Sequence, residues 1–158
     1  MDSDLVSLEQ AKGAVANSAD IRRASLEVEL LAAMQSASSA SMTWGRDDCA
    51  LWCADILKAA LGYDAAASFR GRYRTRIGAH RVLGHGGLPR ALRMASRRHR
   101  WRRVAAADAD VGDIGLAVAG NTISTVICRK PGWFIGRSDE GWTALPAAMV
   151  KVAWCVVP

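Results

Sequence analysis

An α+β domain, with helices first and an antiparallel sheet after them, is the fold class that the sequence predicts, and three observations carry it. Apolar residues recur at helical spacing through the first part of the chain, and after Gly112-Asp113 the period changes from about 3.6 to two. Helical and strand patterns are segregated rather than alternating, which argues against a parallel α/β sheet. With 158 residues, 51% apolar and 23% charged, the chain suits one domain with one core, and this composition excludes a disordered polymer.

Ser7-Leu8-Glu9-Gln10 reads as a capping box that opens a short helix through about Ala16. Asn17-Ser18-Ala19-Asp20 then reads as a break with a new N-cap, so residues 1–19 are expected to be an N-terminal extension and 20–158 the domain. A second helix starts near Ile21, with Ile21, Ala24, Val28, Leu31 and Gln35 as its expected inner stripe, and ends in the Ser-rich stretch 36–41. The best-specified helix runs from about Cys49 to Leu61: Asp47 or Asp48 caps it, Ala50, Cys53, Ala54, Leu57 and Leu61 form its stripe, and Gly62 closes it. Residues Ser68 to Leu88 are Gly- and Arg-rich and suit short helical turns. Pro89 suits the first turn of a helix reaching about Arg98.

The strand half follows. Ile114, Leu116 and Val118 alternate with small residues, and Gly120-Asn121 turns the chain tightly into Thr122 to Cys128. Trp133-Phe134-Ile135, a turn over Ser138 to Gly141, Trp142 to Leu145, and Val150 to Val156 bring the expected total to four or five strands.

Net charge is +6, but its distribution says more. Between Ala65 and Ala107 stand twelve Arg and three His, with no Lys, Asp or Glu. Such a block suits phosphate, an anionic cell-wall polymer or an acidic neighbouring subunit, since guanidinium forks pair with carboxylate and phosphate alike. A solvated surface written by a GC-rich coding sequence is the blander reading. Arg70, Arg72, Arg74 and Arg76, interleaved with Tyr73, are the candidate anion or partner contacts. Without a helix-turn-helix, RNA-recognition or finger motif beside them, nucleic acid is an unfavoured partner. No run of about 18 apolar residues exists to enter a membrane, and the N-terminus lacks a secretion-signal pattern, so any extracellular role is expected to need a carrier.

Chemistry concentrates in Trp44-Gly45-Arg46-Asp47-Asp48-Cys49-Ala50-Leu51-Trp52, a loop that ends in a thiol at the first turn of a buried helix. Unpaired N–H groups and the positive end of a helix favour thiolate over thiol, so Cys49 is the candidate nucleophile with a depressed pKa, and Asp48 its supporting N-cap. Cys53, one turn on, is expected to pack. The four cysteines are too few for a disulfide scaffold and lack zinc-site spacing, and no metal or cofactor is expected. Asp108, Asp110 and Asp113 lack the Gly and Glu of a calcium loop and read as a solvated turn. Each of the six Trp is expected to pack in the core, with Trp101, Trp133 and Trp142 as the alternative interface or glycan-stacking positions.

Asp48-Cys49-Ala50 opening a helix, followed by Gly112-Asp113-Ile114-Gly115-Leu116 leading into a hairpin, resembles the NlpC-type branch of papain-like cysteine peptidases. The wider series of Trp44-Gly45, Asp48 to Trp52, Asp55, Phe69-Arg70-Gly71-Arg72-Tyr73, Gly78-Ala79 and Ala153-Trp154 resembles an uncharacterised family encoded in phage and prophage tail modules. The resemblance implies a papain-like fold over about residues 20 to 158. It also implies a place in a virion tail or tail-derived particle, with tail or tail-tip proteins as partners and peptidoglycan peptides as substrate. In NlpC-type enzymes a His opens the strand that pairs with the Gly-Asp strand, and here that stretch reads Ser124-Thr125-Val126-Ile127-Cys128. An acid of near-neutral pKa is needed to protonate a leaving amine, which leaves His80 and His85 as the substitute base candidates, with His99 behind them. Two functional expectations follow: a cysteine peptidase or amidase acting on the cell wall, or a non-catalytic structural or adaptor subunit of a tail on the same fold.

Overall fold

A computed structural model describes residues 2–158, and it is an α+β arrangement of four helices and one six-stranded antiparallel sheet. The helices are α1 (Asp2–Ala37), α2 (Cys49–Leu61), α3 (Arg76–Leu83) and α4 (Gly87–Arg98). The strands are β1 (Arg102–Val104), β2 (Ile114–Ala119), β3 (Thr122–Lys130), β4 (Trp133–Ser138), β5 (Gly141–Pro146) and β6 (Val150–Cys155), in the order β1-β6-β2-β3-β4-β5. Hairpins join β2 to β3, β3 to β4 and β4 to β5, whereas β6 returns to pair with β2 on one side and β1 on the other.

The sheet has one strand more than expected. Strand β1 spans only three residues, two of them exposed arginines, so it carries no alternating pattern for a sequence to display. The expected break at Asn17–Asp20 is also absent: α1 is one helix of 36 residues. Asn, Ser and Asp cost a helix interior at most about 0.7 kcal/mol each against Ala, far less than a proline, and the packing of the following residues outweighs that.

The inner stripe of α1 differs from the expected one as well. Leu26 and Leu30 are fully buried and Ala33 and Met34 pack beside them, while Ile21, Val28 and Leu31 face outward. Arg23 decides the orientation, because its guanidinium reaches into the sheet. Its Nη1 donates to Asp113 Oδ1 at 2.6 Å and to the Val111 carbonyl at 2.8 Å, and its Nη2 to Cys155 Sγ at 3.1 Å. Asp113 is 1% exposed and also accepts from the backbone N–H groups of Val156 and Asp110, so it is a buried clamp and not part of a solvated turn.

Helix α2 matches its sequence boundaries. Asp48 caps its start by accepting from the Leu51 N–H, and Gly62, in the left-handed region, ends it by donating to the Lys58 carbonyl. Its burial is broader than one stripe: Leu51, Trp52, Cys53, Ala54, Ile56 and Leu57 are all buried, as expected for a helix covered on several sides. Pro89 stands in the first turn of α4.

The main core lies between α1, α2 and one face of the sheet, where Ile114, Leu116, Ile127, Ile135 and Trp154 meet the helices. The other face carries Val126, Cys128, Phe134 and Ala153 under two single-turn segments, Ala106–Asp108 and Ala147–Met149. Both faces of β2 are therefore covered, and its small residues follow from that: a Cβ on Gly115 would stand 2.7 Å from Val150 Cγ1. Trp52, Trp101 and Trp154 are buried, whereas Trp133 and Trp142 are exposed, against the expectation of core packing for each.

Replacing Asp113 by Ala strands a largely buried guanidinium and two backbone donors, and is expected to cost about 3–5 kcal/mol in urea unfolding. Replacing Arg129, whose pair with Glu27 is exposed, is expected to change stability by no more than about 0.5 kcal/mol.

Candidate active site

Residues 43–49 form the loop that delivers Cys49, and one carboxylate organises it. Asp48 is 1% exposed, and its Oδ2 accepts from the Gly45 N–H at 2.9 Å and from the Tyr73 hydroxyl at 2.8 Å, while Oδ1 accepts from the Leu51 N–H at 3.1 Å. Gly45 is required here twice over, since its φ is +82° and a Cβ would collide with the Tyr73 carbonyl. Asp47 fastens the other side of the loop: its Oδ1 accepts from the Thr43 N–H, and its Oδ2 from Nη2 of the buried Arg137 on β4. The remaining nitrogen donors of Arg137 include Nη1, which reaches the carbonyls of Ala40, Ser138 and Gly141. These contacts hold the loop against the sheet from both ends.

Cys49 is the first residue of α2 and is partly exposed. The backbone amides of Thr125 on β3, of Ala50 and of Cys49 itself lie toward its sulfur. These donors favour the thiolate, yet the thiol is pushed up, first by burial and further by the negative charge of Asp48. The expected depression of its pKa is therefore reversed, chiefly because the thiol is buried, with the Asp48 carboxylate that caps the helix adding to the effect. Cys53 is fully buried, and its thiol is raised well above the ordinary value by burial first and then by the neighbouring Cys49, Asp48 and Asp55.

The groups that bear most strongly on the Cys49 thiol are Thr125, Asp48, Ala50 and its own backbone, and none of them is a histidine. His80 is exposed on α3, His85 is exposed in the turn between α3 and α4, and His99 stacks on Tyr63 with ring centroids 4.2 Å apart. The residue set against Cys49 is Thr125, which is 2% exposed and whose hydroxyl has no partner among the described residues. Thr125 also borders an apolar cavity of about 60 Å³ between α2, α4 and the loop carrying Tyr73. Sequence reasoning had no signal for Arg137, whose place depends on the β4–β5 pairing, or for Tyr73 as a partner of Asp48.

The four candidate arginines separate. Arg70 is spent within the chain, on Asp64 at 2.5 Å and Asp55 at 2.6 Å, whereas Arg72, Arg74 and Arg76 are exposed. Asp55, which the sequence series singled out, thus has a partner that explains its place. Among the described residues no group of three or more His, Cys, Asp or Glu stands together in a way that would hold a metal ion, and the four cysteines are free thiols.

Iodoacetamide should label Cys49 more slowly at neutral pH than it labels a free-cysteine peptide, with a midpoint above that peptide's. Asp48→Asn should move the midpoint down, since it removes the adjacent negative charge. Thr125→Val, which deletes an unpartnered buried hydroxyl at constant shape, is expected to raise the unfolding free energy by about 1 kcal/mol in urea titration.

A family model described as Domain of unknown function (DUF6950) matches residues 21–156. No curated protein matches the chain.

Proposed function

The chain belongs to the DUF6950 family, and we propose that it is a papain-like domain of a phage or prophage tail, or of a tail-derived particle, that serves as a structural or adaptor subunit and not as a peptidase. One observation carries the non-catalytic reading: the strand residue set against the Cys49 sulfur is Thr125, and no histidine is among the groups that bear most strongly on that thiol. Peptide hydrolysis by a thiol needs a group that accepts its proton and returns one to the leaving amine. A threonine hydroxyl does neither near neutral pH. The raised thiol points the same way, as does the exposure of His80 and His85 to solvent.

The papain-like reading is supported by a cysteine that opens the most buried helix, packed against an antiparallel sheet whose hairpin strand β3 sets the Thr125 backbone beside its sulfur. The tail assignment is supported by the sequence series around Asp48-Cys49 and by the exposed arginines, which fit an acidic neighbouring subunit. Among the described residues no helix is long and apolar enough to cross a membrane. A second reading, hydrolysis of peptidoglycan peptides, is favoured by the partial exposure of Cys49 and by the backbone N–H groups gathered on its sulfur.

Purified sacculi separate the two. The adaptor reading expects the wild-type protein to release no more stem peptide than Cys49→Ala does, and expects Cys49→Ala chains to enter particles normally. Release that depends on Cys49 would overturn it in favour of the hydrolase. Charge reversal at Arg72, Arg74 and Arg76 is expected to prevent incorporation into particles.

A further inference from the structure

A trough of about 380 Å³ runs between α1 and α2. Its volume falls within the roughly 300–1,000 Å³ of small-molecule sites, which the cavity of about 60 Å³ beside Thr125 does not reach. Small side chains leave this space: Ala33, Ser36 and Ala37 of α1 border it from one side, and Ala59 of α2 from the other, where Trp52 and Ile56 supply a buried apolar floor. The two helices run antiparallel here. The Ser25 hydroxyl donates to the Ala60 carbonyl beyond one end, while at the other Arg137 ties the Ala40 carbonyl to Asp47.

Polar groups divide unevenly along the trough. At the loop end the Arg137 side chain is 1% exposed; its Nη1 is taken by three carbonyls and its Nη2 by Asp47, but its Nε has no partner among the described residues. A buried donor without an acceptor is costly, and a ligand that supplies the acceptor removes that cost. Two carboxylates border the trough further along. Asp55 is exposed and shares Arg70 with Asp64, and Glu29 is half-buried and forms no ion pair among the described residues. Glu29 stands eight residues before Ala37 on α1, so about 12 Å of helix separates the acidic end from the guanidinium end. Because no three acidic, His or Cys groups stand close enough among the described residues to hold a metal ion, the carboxylates suit an extended organic cation.

We propose that the trough binds an elongated amine: a primary ammonium set against Glu29 and Asp55, an aliphatic stem over Trp52 and Ile56, and a neutral carbonyl that accepts from Arg137 Nε. The carbonyl is neutral because Asp47 already balances the Arg137 charge, so a carboxylate would bring a second negative charge to a buried site. A free amino amide and a lysine residue of a partner peptide share this chemistry. The site goes beyond the adaptor reading and does not depend on the state of Cys49.

Calorimetric titration of the full chain with ε-aminocaproamide, which is lysinamide without its α-amine, tests it. Saturable binding at one site per chain is expected, and Glu29→Gln is expected to weaken it about tenfold, the loss of one charge-assisted contact. Hexanamide, which lacks the amine, and hexylamine, which lacks the carbonyl, are each expected to bind about tenfold more weakly than the amino amide, and ε-aminocaproate more weakly than its amide. Ser36→Leu with Ala59→Leu fills the trough from two exposed positions and is expected to abolish binding, with circular dichroism confirming that the variant is folded. Tighter binding of Nα-acetyl-lysine methylamide than of ε-aminocaproamide assigns the site to a lysine residue of a peptide, and the reverse order to a free amino amide. The proposal is overturned if the wild-type protein shows no saturable binding, if Glu29→Gln or the filled, folded variant binds as the wild type does, or if hexylamine binds as tightly as the amino amide.

Discussion

The buried ion pair of Arg23 and Asp113 is the contact on which the arrangement of layers depends. Asp113 sits where β2 begins, accepts from the backbone beside β6, and receives a guanidinium from α1, so a single carboxylate joins three elements distant in sequence. Removing two charges from water is costly unless their hydrogen bonds are filled, and here the carboxylate has three donors and the guanidinium three acceptors. That requirement turns α1 so that Arg23, Leu26, Leu30 and Ala37 share the inner face. The apolar residues of the opposite face are left to solvent as a consequence.

A second buried carboxylate governs the cysteine loop, and its two effects oppose each other. Asp48 orders the loop by gathering Gly45, Leu51 and Tyr73, and thereby delivers Cys49 to the start of α2. The same negative charge, in a site already poor in water, disfavours a thiolate. A cationic partner would reverse the balance, but the position that faces the sulfur holds Thr125. The geometry of delivery is thus intact while the electrostatics that would activate the sulfur are missing. Arg137 does not compensate, because its charge is spent on Asp47 and on three carbonyls.

Distribution of charge gives the outer surface its character. Arg70 and Arg72 are two residues apart in sequence, yet one pairs with two aspartates and the other donates only to the Ser68 carbonyl, and the positions of Asp55 and Asp64 make that distinction.

By itself the sequence determined the α+β class, the limits and cap of α2, and the turns that join β2 to β3 and β4 to β5, because each rests on local periodicity and turn chemistry. It also identified Cys49 and its cap Asp48, since a thiol after Asp at a helix start is a local pattern. Tertiary structure alone decided the burial of Asp113, the face that α1 presents, the short edge strand β1, and the contacts of Arg137 and Tyr73. Each of those depends on a partner from another part of the chain. The same holds for the Cys49 thiol: the helix start visible in the sequence predicts a lowered pKa, while burial and the Asp48 charge, which appear only when the loop is packed against β3, raise it.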